Sequence, residues 1–348
     1  MVSIKDISTR CGVSVATVSK ALNNHKDISA ATKENIIKMA KEMDYFPNSS
    51  ARALKTNRTY NLGVLFVDEA QSGLTHEYFV KVLDSFKQEA ERNGYDITFI
   101  SRHIGGMDLT YYEHSKYRGV DGVVIACIRF TDPQVAKLIN GELPVVTIDH
   151  VFDNRSAIIS DNVKGMKDLI TYIYKMGHRK IAYIHGANSS VTQNRVGSFY
   201  KTLGELDITV PDEYVKCGIY HDPDTTAVLT RELLQLKDKP TCIIFPDDFS
   251  CIGGINAIKE AGLRIPEDIS IAGYDGIILS QVLVPKLTTL KQDTGSLGRI
   301  AAEKLIALIE NPKASIIERV IIGGKVLPGN SVRDLNAGNM ERKDGEEN

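Results

Sequence analysis

The sequence predicts two architectures in one chain: a small all-α helix-turn-helix domain at the N-terminus and an α/β body of two doubly wound lobes. Three observations predict this. Two short apolar helical patterns abut across a glycine in residues 4–23. From about residue 60 the pattern changes to alternating strands and helices. At 348 residues, moreover, the chain is too long for one ordinary hydrophobic core.

The first stretch reads IKDISTRCGVSVATVSKALN. Ile4, Ile7 and Cys11 share one face of a first helix, and Gly12 breaks it. Ser14 follows as the N-cap of a second helix, in which Val18 and Leu22 recur at i, i+4. With those two turned inward, Val15, Ala16, Ser19 and Lys20 turn outward. The second helix of such a hairpin is the one that enters a major groove. A capped hairpin with a small apolar face also serves plain packing, and this stretch alone leaves both readings open. Ser29 opens a third helix with Ile36, Met39, Ala40 and Met43 on one stripe, and Pro47 ends it, so residues 1–46 form one predicted domain. Net charge is −2 overall, yet residues 1–60 carry ten Lys/Arg against five Asp/Glu, a basic module on an acidic body.

Residues 47–59 are short of large apolar side chains and carry Arg52, Lys55 and Arg58, the composition of a solvated linker. Beyond them LGVLFV reads as a buried strand and YFVKVLDSFKQEAERNG as the helix that follows it. YDITFIS, GVDGVVIACI, PVVTID, KIAYIHG, TCIIFPD and ISIAGYD continue as strands, mostly separated by helical patterns. That alternation means parallel sheet, and this many strands make two doubly wound units. The tail NMERKDGEEN is charged, lacks apolar periodicity and carries no heptad leucines, so residues 336–348 are expected to be disordered and not a coiled coil.

Several classes are excluded by what the sequence lacks. The five cysteines have no C-x-x-C spacing and the eight histidines are scattered, so neither a disulfide framework nor a metal site is expected. There is no G-x-S-x-G, no Walker motif and no G-x-G-x-x-G, which argues against an enzyme and against a bound cofactor. No apolar run approaches a membrane span and no signal-peptide pattern opens the chain, so a cytoplasmic protein without membrane contact is expected. The missing leader and the helical N-terminal module also count against a solute-binding protein feeding a transporter.

In doubly wound sheets ligands sit beyond the carboxyl ends of strands, where Asp68, Asp149, Asp247 and Asp275 stand. Four such carboxylates serve a metal, acid–base chemistry or a polyol, and the missing motifs favour the polyol. Carboxylates accept from hydroxyls, an arginine donates to oxygens and an aromatic face covers the apolar side of a sugar. For each Asp taken singly, a helix cap or loop hydrogen bond is the alternative.

The order VATVSKALN, then YFPNSSARALK from Tyr45, resembles the LacI/GalR family of bacterial transcription regulators, over nearly the whole chain. The resemblance implies a repressor that binds a pseudo-palindromic double-stranded operator as a homodimer. Its affinity would be set by a small-molecule effector, a carbohydrate, between two Rossmann-like lobes of periplasmic-binding-protein type. It makes the segment from Asn48 to Lys55 a hinge that is helical on DNA, with Ala51 in place and Leu54 as the residue wedged into the minor groove. Ser14, Thr17 and Asn23 would hold phosphates, while Val15, Ala16, Ser19 and Lys20 would face bases. The body, residues 60–335, would cross between lobes near Asp161, Lys291 and Ile321. Lobe 1 would comprise about 60–161 and 291–320, and lobe 2 about 162–290 and 321–335.

By the same resemblance Asp149 of TIDH, Arg195 of NRVGSF, Asp247 of PDDFS and Asp275 of AGYDG face the effector. Asp247 stands where many members have asparagine, which favours a hydroxyl donor over an anion. Gly197-Ser198 also departs from the usual pattern. AQSGLTHEYF departs in the first lobe: Tyr78 and Phe79 match an aromatic pair that either stacks on ligand or belongs to the core. The segment GKVLPGNSV lacks the family's Pro-Arg-type strand. His178, Cys127 and Cys251 read as structural. Whether effector releases or strengthens DNA binding, and whether a phosphorylated partner protein also acts, stays open.

Overall fold

The computed structural model describes residues 2–23, 25–46, 53, 58–67 and 73–336. The chain divides into two compact units, residues 1–59 and 60–348.

The first unit holds α1 (Ile4–Cys11), α2 (Val15–Leu22) and α3 (Ala30–Glu42). Each begins on a serine. Ser3 and Asp6 form a reciprocal capping box, Ser14 accepts from the Thr17 N–H, and Ser29 accepts from the Thr32 N–H. Gly12 ends α1 in the left-handed region at φ 64°, donating back to the Ser8 and Thr9 carbonyls. Ile7, Val18, Ala21, Ile36 and Ala40 make the core, with Ile4, Cys11, Leu22 and Met43 packed around them. Full burial of an Ile or Val contributes about 1.5–3 kcal/mol, so a core this small relies on its three caps as well.

The second unit contains two six-stranded sheets. The first runs β13 (Arg319–Ile322), β7 (Ser156–Ser160), β6 (Val145–Ile148), β5 (Gly122–Cys127), β1 (Asn61–Phe66), β2 (Asp96–Ile100). The second runs β14 (Lys325–Leu327), β12 (Thr288–Lys291), β11 (Ser270–Asp275), β10 (Cys242–Ile244), β8 (Ile181–His185), β9 (Val215–Cys217). Every pairing within these sheets is parallel except β12 with β14. A small hairpin, β3 (His103–Ile104) and β4 (Met107–Asp108), lies apart. Central strands such as β1 and β5 bury nearly every residue, as helices on both faces require.

The helices are α4 (Glu77–Arg92), α5 (Tyr111–Arg118), α6 (Pro133–Ile139), α7 (Asn162–Lys175), α8 (Ser190–Glu205), α9 (Pro223–Gln235), α10 (Cys251–Glu260), α11 (Ile278–Val282) and α12 (Thr294–Glu310). The chain leaves the first sheet after β7 and returns after β12, where Lys291 still pairs with Asp275. It crosses again between β13 and β14. Ile321 and Ile322 pair with Ile159 and Ser160, so the last crossing falls at Gly323–Gly324, just past Ile321, and the second falls just after Lys291. The apolar IIERVIIGG run is therefore an edge strand of the first sheet, and the segment after it adds the antiparallel β14.

In the first lobe α4 and α12 pack side by side over Val82, Phe86, Leu297, Ala301 and Leu305. Their approach depends on Gly298: a Cβ there would stand 2.1 Å from the Val82 carbonyl oxygen and 2.7 Å from the Phe86 nitrogen. Gly298→Ala is expected to push the helices apart and to lower unfolding free energy by about 1–3 kcal/mol. A urea midpoint unchanged from the parent chain would refute that packing.

Candidate functional site

On the first unit the outward surface of α2 comprises exposed Val15, Ala16 and Lys20 with half-buried Ser19, because Val18 and Ala21 take the inward positions. Ser14, Asn23 and Lys20 at this face already have partners in the protein. Ser14 Oγ accepts from the Thr17 N–H at 3.0 Å and lies 2.9 Å from Thr17 Oγ1. Asn23 Nδ2 donates to the Ser19 carbonyl at 2.7 Å. Lys20 Nζ donates to Asp27 Oδ2 at 2.5 Å. Sequence reading missed Asp27, whose signal was only an acid on the loop seven residues past the lysine. Asn48, Ala51, Leu54 and Lys55 lie outside the described residues.

In the second unit the strand ends converge as expected, but the carboxylates differ in what they do; Asp68 lies outside the described residues. Asp149 follows β6 with φ 57°, a left-handed conformation that Asp tolerates better than most residues. Its carboxylate accepts from the Ser160 N–H at 2.6 Å and the Tyr78 hydroxyl at 2.9 Å. Asp247 is buried: Oδ1 accepts from the Ser250 N–H at 2.7 Å, and Oδ2 from the His221 N–H and the Ser250 hydroxyl, both at 2.8 Å. Both carboxylates thus satisfy backbone donors that no ladder reaches.

Arg195 on α8 is 4% exposed. Nε donates to Asn162 Oδ1 at 2.7 Å, and Nη1 to the Pro246 carbonyl at 3.1 Å. The guanidinium lies 3.5 Å above the Tyr274 ring, a cation–π contact in a dry setting. Nη2 reaches to 3.9 Å from Asp275 Oδ1. Asp275 ends β11 at φ 102°, a strained conformation for a residue with a side chain. Its Oδ1 accepts from Gln292 Nε2 at 2.7 Å; among the described residues no hydrogen bond reaches its Oδ2. Burial pushes this carboxyl up to about 7 against the help of Arg195, and Asp247 and Asp149 push the same way.

Tyr78 and Phe79 both belong to the first lobe's packing. Tyr78 is buried, and Phe79 lies edge-on to Phe66 at 5.5 Å and to His76 at 4.9 Å. Tyr78 also lines, with Asp275, a cavity of about 190 Å³ between the lobes. His178 is buried between Thr241 Oγ1 and the Arg333 carbonyl, and Cys251 is buried.

Several participants were not anticipated. Asp248, beside Asp247, points the other way: it accepts from the Ile277 N–H at 2.9 Å and the Thr289 hydroxyl at 2.6 Å, and burial raises its carboxyl well above the usual range. A stack joins the lobes, with His76 4.2 Å from His221 and His221 3.9 Å from Phe249. Ser190 Oγ adds a second link, donating to the Asp149 carbonyl at 3.1 Å. Among the described residues no cluster of three or more His, Cys, Asp or Glu is placed to hold a metal, and no helix is long and apolar enough to cross a membrane.

Asp275 carries a stability consequence whose sign follows from its raised carboxyl. The folded state holds the proton more tightly than the unfolded chain, so this residue makes stability fall as pH rises from about 4 to about 7. Asp275→Asn is expected to be more stable than the parent above pH 7, by at most roughly 4 kcal/mol, and alike near pH 4. Equal urea midpoints at both pH values would contradict this.

Two family models match this architecture: bacterial regulatory proteins of the lacI family over residues 3–48, and a periplasmic binding protein-like domain over residues 170–332. The chain is 30% identical to the "Probable HTH-type transcriptional repressor ExuR" of Bacillus subtilis (strain 168), across 96% of this chain and 99% of that one. It is also 30% identical to the HTH-type transcriptional repressor PurR of Vibrio vulnificus (strain CMCP6), across 89% and 93%. In fold it resembles a lac repressor dimer bound to operator and the anti-inducer ONPF, with TM-score 0.79 at 23% identity over 95% of this chain and 99% of that one. It also resembles a transcriptional regulator CelR–cellobiose complex, with TM-score 0.70 at 21% identity over 95% and 100%. The chain belongs to the lacI family of bacterial regulatory proteins, and is a DNA-binding transcriptional repressor with a ligand-binding effector domain.

Proposed function

We propose that the chain acts as a homodimer, placing two copies of α2 in the major groove of a pseudo-palindromic operator, and that a carbohydrate between the lobes sets its affinity. The observation that carries the DNA half is the outward surface of α2: Val15, Ala16 and Lys20 are exposed on a helix whose inner residues are fully buried. Lys20 exchanges Asp27 for guanine O6/N7, Val15 and Ala16 meet thymine methyls, and Ser19 lies beside them. Ser14, Thr17 and Asn23 contribute phosphate contacts, which position the helix without reading sequence. Residues 47–59 form the hinge, with Asn48, Ala51 and Lys55 at the backbone and Leu54 as the wedge.

In the body, residues 60–335 form two lobes that close on the effector through Asp275, Arg195 and Tyr78, with Asp149, Asp247 and Phe79 shaping the walls. Asp68 belongs to the same set by its place after β1. Carbohydrate is favoured because the strand ends bring the acceptor carboxylates Asp149, Asp247 and Asp275 together near the one guanidinium of Arg195. A ligand moves the repressor only through differential affinity for two lobe arrangements, typically worth about 1–3 kcal/mol.

Lys20→Ala is expected to relax base preference at one position in each half-site, at about 1–3 kcal/mol. Selection from random duplexes should return a palindrome with half-sites about one helical turn, ~34 Å, apart for the parent chain. An asymmetric site, or a Lys20→Ala preference identical to the parent's, would sink the assignment. His221→Ala removes the middle ring of the inter-lobe stack, worth about 0.5–1.5 kcal/mol per aromatic pair. It should shift the apparent effector concentration for the operator response by roughly 2–12-fold. A dose–response curve coincident with the parent's would show that the stack does not bias closure.

A further inference from the structure

We propose that Asp27 is a specificity-determining residue of the DNA-reading surface: it holds the Lys20 ammonium, so that the lysine is released to a guanine and withheld from phosphates. The inference rests on the reading that α2 enters the major groove with Lys20 on a base, and it adds to that reading a residue from outside the helix.

The placement of Asp27 is built into the chain. Past the Asn23 cap, the His25 N–H donates to the Lys20 carbonyl at 3.0 Å, which folds the following segment back over the last turn of α2. On the other side Ile28 packs against the core of the first unit and Ser29 caps α3. Asp27 is therefore anchored on both flanks, and its carboxylate accepts from the ammonium seven residues earlier at 2.5 Å. The fold gains little from an acid there. The two side chains are 47% and 54% exposed, and exposed pairs contribute little to stability.

For DNA binding the same carboxylate counts for more. It lies on Lys20, the one long polar side chain of the outward face of α2, where it opposes the approach of phosphates whatever the sequence. The hydrogen bond from Lys20 also holds the Asp27 carboxyl below the usual carboxylate range, so it is ionised at neutral pH.

The discrimination follows from what Lys20 gains by leaving. A lysine that exchanges a carboxylate for a phosphate swaps one charge pair for another and gains almost nothing. A lysine that exchanges it for guanine gains two acceptors, O6 and N7, in a contact that distinguishes bases. Asp27 thus weakens binding to every duplex, and weakens it most where no guanine is offered. Without Asp27 the ammonium is free to join the phosphate contacts, and random DNA gains one more contact that releases counterions.

The test uses the full-length chain, the palindrome returned by selection and a random-sequence duplex, with affinities measured over a salt series. Asp27→Asn is expected to bind both duplexes more tightly, the random one by roughly 2–5-fold more than the palindrome, so the specificity ratio falls by that factor. For the random duplex the slope of log affinity against log salt should steepen by about 0.9, the share of one phosphate. Base preference at the position read by Lys20 should weaken in parallel. Asp27→Glu, which keeps the charge, should retain the parent's ratio. Adding Asp27→Asn to Lys20→Ala should leave the ratio of the single Lys20→Ala chain unchanged, because the effect runs through the lysine. Equal gains on both duplexes with base preference intact would reduce Asp27 to a bulk charge and overturn the inference. A loss of affinity for the palindrome alone would also overturn it, by making Asp27 itself a base contact. A Lys20→Ala chain with the parent's base preference instead overturns the reading of α2 beneath it.

Discussion

Parallel strands end with backbone donors that no neighbouring strand satisfies, and in this body buried carboxylates take them up. Asp149 accepts from the Ser160 N–H, Asp247 from the N–H groups of Ser250 and His221, and Asp248 from that of Ile277. These bonds tie each strand end to the element that follows or to the loop beside it. Asp248 is the most demanding case, since it is fully buried and a Cβ on Gly273 would stand 2.2 Å from its Oδ1. Its fit requires glycine on the neighbouring strand. Among the described residues these strand-end carboxylates are thus already spent on the protein, and of the four only Asp275 has an oxygen that no hydrogen bond reaches.

That difference explains what was legible in the sequence. Strand–helix alternation and apolar runs fix the two-lobe body because burial on both faces of a parallel sheet writes itself as continuous Val, Ile and Leu. Ser14, Ser29 and Gly12 likewise mark the helix boundaries of the first unit, while the Ser3 cap emerged only with the structure. The strand-end aspartates were found by position, but their roles were not. An Asp that caps a backbone donor and one that awaits a ligand look alike in sequence, because the distinction lies in which N–H comes within 3 Å. Asp247 and Asp248 are neighbours in the turn after β10 and take different partners, a difference that two adjacent aspartates do not show in sequence. Gln292 and the His76–His221–Phe249 stack were invisible because their partners come from distant segments brought together by the crossings. The last crossing, expected near Ile321, falls two residues later because β13 runs on to Ile322 before Gly323–Gly324 carries the chain to the second sheet.

The two units solve the same polar problem on different scales. In the first, a small apolar core and three capped helix starts leave the second helix with its outer face bare. The polar groups along it are not idle: Ser14, Asn23 and Lys20 each hold a protein partner. The Lys20–Asp27 pair is exposed on both sides, and such pairs contribute little to stability. Exchanging it for a base edge therefore costs little, and the pair keeps a long flexible side chain from wandering before it is used.

Asp275 shows the opposite economy. Its backbone is strained, its carboxyl is buried among other carboxylates, and its proton affinity is raised as a result. None of this helps the fold above pH 7, where an amide in its place is expected to be the more stable. Such a group persists where the destabilised state is what a ligand relieves. The same strand end also abuts a crossing between the lobes, through Gln292. Relief at Asp275 is consequently felt at a segment whose geometry sets how the two sheets are joined, and a local hydrogen bond acquires leverage over the arrangement of the lobes.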